Sequence, residues 1–262
     1  MQLERTHDRA RIEAFLSRDR IWGAYALGDL EPSLFPLCEW TFAVDAGQDV
    51  ALALVFQGLT PPICLTIGAA PGVAALVAEA GLPEWVHFVM EPGHWAVIDA
   101  VYALGKADAM LRMGLAPGDF RPAALNGWRP RRLSAADMAA LTQLYTADGG
   151  GAPDAFAPFQ VEQGLFYGAD EAGRLIAVAG THLVAPEMGV AAVGNVYTAP
   201  DYRGRGLAQT CTSAVVEACH DLGVRDVVLN VARDNAPARA AYARLGFRPW
   251  CEFIEGSGVR RA

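Results

Sequence analysis

Between Val196 and Ala208 the chain reads Val-Tyr-Thr-Ala-Pro-Asp-Tyr-Arg-Gly-Arg-Gly-Leu-Ala, a strand-type run that passes through Pro200 and an Arg/Gly turn into an amphipathic helix. Proline cannot continue a strand ladder, and Gly204 and Gly206 admit left-handed backbone that other residues avoid. A strand–turn–helix joint of this kind requires β–α units. The surrounding pattern agrees. Val190–Thr198 reads as a strand and Gly204–Leu222 as a helix, with Leu207, Cys211, Ala214, Val215, Ala218 and Leu222 on one side and Gly223 just past its end. Val227–Val231 is a strand. Asn235 caps a helix through Leu245 with Pro237 in its first turn, and Gly246 ends it before a strand from Phe247 to Ile254.

The same turn is built to hold an anion. Without side chains at Gly204 and Gly206, successive backbone N–H groups can converge on phosphate oxygens. The helix start adds unpaired donors and partial positive charge. Arg203 and Arg205 bring full charges beside that nest. A P-loop is excluded because no Gly-Lys-Ser/Thr run follows. The dinucleotide fingerprint is excluded because Ala208 and Gln209 stand where a third glycine is needed. A glycine turn that binds nothing is the alternative on spacing alone.

Elsewhere the chain divides. Ala116–Ser134 is rich in proline, glycine and arginine without apolar period, so two domains are expected, residues 1–125 and 126–262, both of mixed α/β (α+β) class. In the first, Thr6 is placed to cap a helix carrying Ile12, Phe15 and Leu16. Trp40–Val44, Val50–Phe56 and Ile63–Ile67 read as strands of a meander. A helix over Pro71–Ala80 closed by Gly81, a strand Val86–Met90, a helix Trp95–Leu104 and a strand Ala109–Leu115 follow. In the second, Arg131–Leu133 opens the domain and Ser134 caps a helix bearing Met138, Leu141, Leu144 and Tyr145. Gly149–Phe159 is a surface connection or a lid. Gln163–Tyr167 and Leu175–Val184 are strands, the latter joined to the next by a turn at Pro186–Gly189.

Composition narrows the classes. Hydrophobic residues are 53% of the chain, enough for packed cores. The net charge of −8 offers no field to attract nucleic acid. Five scattered cysteines without a C-x-x-C pair argue against a disulfide framework or a zinc site, so no metal is expected. No long apolar stretch or secretory leader is evident, so the expectation is a cytoplasmic protein without a membrane partner. Oligomeric state is open.

Taken together, VYTAPDYRGRGLA and the later RDNAPARAAYARLGF resemble the two main motifs of the GNAT superfamily of N-acetyltransferases. Arg203, Gly206 and Ala208 match that family's R/Q-x-x-G-x-G/A pyrophosphate loop, and Asn235, Tyr242, Gly246 and Phe247 match its second motif. The resemblance runs from about Trp128 to Glu255. It implies a splayed mixed sheet flanked by helices, with acetyl-CoA or another short acyl-CoA as co-substrate. The backbone of Val196, Tyr197 and Thr198 would hold the pantetheine arm. The turn Arg203, Gly204, Arg205, Gly206, Leu207 and Ala208 would bind the pyrophosphate, and Asn235 would touch the cofactor. The implied reaction is direct attack by an amine, with Tyr242 as general acid toward the departing thiolate; a small-molecule amine is expected rather than a protein tail, since an acidic chain attracts a cationic amine.

The chain departs from that family at the base. A glutamate commonly placed four residues before Val196 is Ala192 here, leaving His182, Asn195, Tyr197 and Glu252 as candidates. The missing carboxylate keeps a second class open, a non-catalytic acyl-CoA sensor or interaction module. The N-terminal half, with its WGAYALGDL segment, resembles the degenerate first repeat of tandem GNAT proteins. In that arrangement it keeps the fold without the cofactor. Trp22, Tyr25 and Trp40 then line an acceptor pocket or simply fill the core.

Overall fold

The computed structural model describes residues 1–125, 127–147, 149 and 156–262. They form two compact units, one of Met1–Arg112 with Cys251–Ala262, the other of Met113–Trp250.

Unit 1 contains β1 (Gln2–Thr6), α1 (Arg9–Leu16), α2 (Ala24–Gly28), β2 (Cys38–Asp45), β3 (Gln48–Phe56), β4 (Ile63–Gly68), α3 (Ala70–Glu79), β5 (Trp85–Met90), α4 (Trp95–Asp99) and most of β6 (Tyr102–Leu115). Unit 2 contains β7 (Arg131–Arg132), α5 (Met138–Tyr145), α6 (Pro158–Gln163), β8 (Tyr167–Glu171), β9 (Arg174–Ala185), β10 (Val190–Thr198), α7 (Leu207–Asp221), β11 (Asp226–Ala232) and α8 (Ala236–Arg244). The last strand, β12 (Arg248–Arg260), leaves unit 2 after Trp250 and ends in unit 1.

The division differs from the expected cut after residue 125, for a physical reason. Arg121 N donates to Leu245 O at 3.0 Å, Ala123 N donates to Ser213 Oγ at 3.0 Å, and Arg248 pairs with Asp119 at 3.1 Å. These bonds tie the proline-rich connector to unit 2. Meanwhile Ile254–Val259 pairs antiparallel with Met90–Trp85, which draws the chain's end into unit 1.

In unit 1 the strands lie in the order β1-β2-β3-β4-β5-β12-β6. The expected cap at Thr6 is not formed. Gln2–Thr6 pairs with Val44–Trp40 as an edge strand, and Asp8 caps α1 by accepting from Arg11 N at 3.1 Å. The strand was hidden because only Leu3 packs on the core. The expected helix Trp95–Leu104 stops at Asp99, and Tyr102 already belongs to a fourteen-residue strand. Helical spacing there loses to pairing with β12, a partner visible only in three dimensions. Gly258 of β12 is a close-approach position, since a Cβ would lie 2.9 Å from Leu104 Cδ2.

Arg112 is fully buried in unit 1, with its guanidinium 4.8 Å from the Trp22 ring, 4.7 Å from Tyr25 and 5.3 Å from Phe253. It donates to the Trp22 carbonyl. Trp22 and Trp40 are 5% and 1% exposed, so both are core residues of this unit. The carboxyl of nearby Asp29 makes no hydrogen bond or ion pair among the described residues, and burial pushes it up to about 7. The folded chain therefore keeps a proton that the unfolded chain releases near pH 4. Stability should fall as pH rises from about 4 to 7 and be level above, by up to about 4 kcal/mol. Asp29→Asn should remove this slope. In calorimetric scans its midpoint is expected above the wild type at pH 8, with the two converging toward pH 4.

Unit 2 orders its strands β11-β10-β9-β8-β7, with β10–β11 parallel and the rest antiparallel. Leu133, Leu141, Leu144, Tyr145, Phe166, Leu175 and Val178 share one core. Ser134 caps as expected, through the short 3-10 turn Ala135–Asp137 that leads into α5. The expected strand Gln163–Tyr167 is corrected. Pro158–Gln163 is a helix, started by Pro158 and by Gln160 Oε1 accepting from Ala157 N at 3.1 Å, and the strand begins only at Tyr167. Of the glycine-rich stretch Gly149–Phe159 read as a connection or lid, residues 150–155 lie outside the described residues.

Candidate functional site

The site grows out of irregularities in β10. Parallel pairing with β11 runs from Val190↔Asp226 to Val193↔Leu229 and goes no further, although β10 continues to Thr198 and β11 to Ala232. The two strands therefore part at Gly194. On the other side, the β9 register jumps from Gly194↔Gly180 to Tyr197↔Val178, so Asn195 and Val196 together oppose Ala179 in a β-bulge. Asn195 takes a left-handed conformation, φ +54°. A second jump, from Ala192↔Leu183 to Val193↔Thr181, makes His182 the extra residue of β9. Its ring lies over Gly194, where a Cβ would be 2.2 Å from Nε2.

Polar groups hold this bulge from two helices. Tyr145 of α5 donates its hydroxyl to Asn195 O at 3.0 Å, and Asn195 Nδ2 donates to Gln160 Oε1 of α6 at 3.0 Å. Sequence reasoning assigned Tyr145 only to the core and missed Gln160. The signal for the latter was a glutamine two residues past a helix-starting proline. Beyond the bulge, Thr198 Oγ1 is buried without a partner among the described residues.

After Ala199 and the turn Pro200–Tyr202, the chain enters the Arg/Gly loop. Gly204 and Gly206 stand at φ +77° and +82°, both left-handed, as their identity anticipates. Gly206 is the N-cap of α7; no side chain caps that helix and no acid lies in its first turn. The first helical bond is Thr210 N to Gly206 O at 3.0 Å, so the N–H groups of Leu207, Ala208 and Gln209 have no partner within the helix. Arg203 is braced on the strand, with Nε donating to Thr198 O at 3.1 Å and the guanidinium 5.8 Å from the Tyr197 ring. Arg205 donates to Asp201 O at 3.0 Å and lies 4.9 Å from the Tyr202 ring. The splayed strands, the partnerless threonine and the open helix start beside two arginines fit a long ligand with an anionic middle.

On the other side of the gap, Asn235 Oδ1 accepts from Ala238 N at 3.1 Å, so this side chain caps α8. Tyr242 is 8% exposed, and its hydroxyl makes no hydrogen bond to another described residue. Burial pushes it up to about 12, so the proton stays on oxygen at neutral pH. Gly246, at φ +102°, is obligatory, since a Cβ would lie 2.0 Å from Asp119 O. Of the candidate bases, burial drives His182 down to about 4 against a hydrogen bond with Asn195 that raises it. Ala192 is fully buried and Glu252 belongs to unit 1.

Unit 1 repeats the β–α–β–α–β order in β4, α3, β5, α4 and β6, but β5 ends at its last parallel pair with β4, whereas β11 runs on past its last pair with β10. Parallel pairing of β4 with β5 continues to Thr66↔Met90, and a single residue, Ala69, separates β4 from α3. His94, which precedes α4 as Asn235 precedes α8, is 2% exposed and binds Thr66 Oγ1 at 3.0 Å and Gly68 O at 2.9 Å. The histidine ties the end of β4 to the turn that leads into α4.

Residues 136–247 match the family model described as Acetyltransferase (GNAT) family. These residues form a GNAT acetyltransferase domain. The match contains the β10 bulge, the Arg/Gly loop, Asn235 and Tyr242. Among curated proteins, the chain is similar to the mycothiol acetyltransferase of Arthrobacter sp. (strain FB24), 34% identical over 90 residues. That covers 33% of this chain and 28% of that enzyme's length. Among solved structures, the GCN5-related N-acetyltransferase from Kribbella flavida aligns with 93% of the chain and 95% of its own, with a TM-score of 0.62 at 20% identity. A tandem GNAT protein from the clavulanic acid biosynthesis pathway aligns over 98% of both chains, with a TM-score of 0.59 at 17% identity. Both likenesses concern fold, and they extend the GNAT-like fold to the N-terminal half. Among the described residues, no helix is long and apolar enough to cross a membrane, and no cluster of His, Cys, Asp and Glu is arranged to hold a metal.

Proposed function

We propose that the protein is an acyl-CoA-dependent N-acyltransferase that moves an acetyl or other short acyl group to the amine of a small molecule. One observation carries this reading: β10 parts from β11 immediately in front of an uncapped, glycine-lined helix start flanked by Arg203 and Arg205. The mycothiol acetyltransferase likeness supports a small-molecule acceptor. When bound, acyl-CoA supplies the thioester whose acyl carbon the amine attacks.

This chain's residues divide the remaining work. The N–H groups of Leu207, Ala208 and Gln209, with the backbone at Gly204 and Gly206, receive the pyrophosphate oxygens, and the arginines beside them offset its charge. The edge of β10 beyond its last pair with β11, along Val196 to Thr198, faces the pantetheine amides. The hydroxyl of Tyr242 delivers its proton to sulfur as the C–S bond breaks, and the proton that the amine loses on forming the C–N bond passes to water, from which the phenol is restored. A phenol held near 12 is a weaker acid than a free one, so that transfer must accompany C–S cleavage rather than precede it.

Titration calorimetry with acetyl-CoA and CoA, followed by thiol-release assays over a panel of small amines, tests the reading. One equivalent is expected to bind, because in unit 1 a single residue, Ala69, separates β4 from α3 and no Arg/Gly loop stands there. Binding without turnover on any amine would favour a sensor, and absence of binding would remove the assignment.

A further inference from the structure

We propose that unit 2 carries a second site, for a small organic cation of the alkylammonium class, in the cavity that one stripe of α7 forms with Tyr167 of β8 and with Leu125 and Pro130 of the connector. The cavity measures about 260 Å³, room for a small ligand rather than a cofactor. No residue of the Arg/Gly loop lines it, and the inference does not depend on the acyl-CoA reading. From α7 the wall includes Ser213, Glu217 and Asp221, which the helical repeat brings onto one face.

The charges of this wall run against the helix that bears them. Glu217 and Asp221 stand four residues apart, where like charges repel, and Asp221 is the last residue of α7, where the helix carries partial negative charge. Neither carboxylate has an ion pair among the described residues. Glu217 Oε1 accepts from Ser213 Oγ at 3.2 Å, and the buried Ser213 Oγ accepts from Ala123 N at 3.0 Å, so the first carboxylate is tied through that hydroxyl to the connector. The nearby basic groups are committed elsewhere. Arg132 donates to Gly164 O at 2.5 Å with its guanidinium 5.6 Å from the Tyr167 ring, and the His220 ring packs edge-on to Phe120 at 5.4 Å; neither lines the cavity. A cation seated there relieves the repulsion between the carboxylates, and its alkyl groups rest on Leu125, Pro130 and the Tyr167 ring.

The test titrates the full chain, labelled with ¹⁵N, with choline, whose quaternary nitrogen cannot take up an acyl group, and with the neutral alcohol in which carbon replaces that nitrogen. Saturable shifts of the α7 amides are expected with choline, and binding of the alcohol roughly tenfold weaker. Two variants separate a seat from a diffuse counterion. Glu217→Gln combined with Asp221→Asn removes the charge and should weaken choline binding by about tenfold or more, while the thermal midpoint holds or rises because the repulsion is gone. Ala218→Leu keeps both carboxylates but fills the cavity from α7, and should abolish saturable binding. Unchanged choline affinity in either variant, equal affinity of wild type for choline and the alcohol, or no saturable shift at all would overturn the site. Acetyl-CoA titration of the same samples reads the acyl-CoA proposal separately, because neither variant alters the Arg/Gly loop.

Discussion

Gly206→Val should reduce acetyl-CoA affinity by roughly 10²–10⁴-fold, because it disturbs the start of α7, where the N–H groups of Leu207, Ala208 and Gln209 open toward the loop. Hydrogen bonds to a charged group contribute about 1.5–3 kcal/mol each, and two lost donors account for that range. The glycine stands at φ +82°, and a β-branched residue there would pull the cap toward ordinary backbone, turning the donors away. Gly204→Ala is the matched control. Gly204 is also left-handed, but a Cβ there meets nothing within 4 Å, so the cost is strain of about 1–2 kcal/mol without blockage. Calorimetric titration of both variants checks the contrast. Equal losses would mean that the loop needs only its backbone shape, and no loss in Gly206→Val would remove the helix start from the binding site.

Tyr242→Phe should lower kcat by about 10²-fold or more, the usual range for removing a general acid, with CoA affinity nearly unchanged. The prediction separates chemistry from packing. The Tyr242 ring lies edge-on to Phe247 at 6.1 Å, a contact phenylalanine preserves, and the hydroxyl has no hydrogen bond among the described residues for the variant to break. The thermal midpoint should therefore stay close to wild type while thiol release slows. Unchanged turnover in a well-folded variant would take Tyr242 out of the mechanism. The departing thiolate would then draw its proton from elsewhere.

Much of the site could be read along the chain because its parts are contiguous. Arg203, Gly204, Arg205 and Gly206 sit in one turn, and left-handed φ values at both glycines are what their missing side chains permit. The Asn235 cap, the Gly246 stop and the limits of β10 and β11 followed from the same local rules, and the structure places them within a residue of expectation. The base was different. No local pattern says whether a histidine such as His182 is solvated. Only the surrounding packing drives it down to about 4 and away from a role as a strong proton acceptor.

The sequence by itself determined the β–α–β–α–β order, the anion-ready turn and the absence of a carboxylate at Ala192, since each depends on residues near one another and on backbone freedom. Tertiary structure decided the rest. Gln2–Thr6 became a strand because Val44–Trp40 offered it a partner, and Tyr102–Leu104 left a helical pattern to join a strand beside β12. Cys251–Ala262 joined unit 1 because β5 had an open edge. The bulge at Asn195 arose because Tyr145 and Gln160, 50 and 35 residues away, hold a backbone angle that asparagine would not keep alone. Hydrogen bonds between distant segments leave no period in the sequence, so neither the bonds at Asn195 in unit 2 nor those of His94 in unit 1 could be read along the chain.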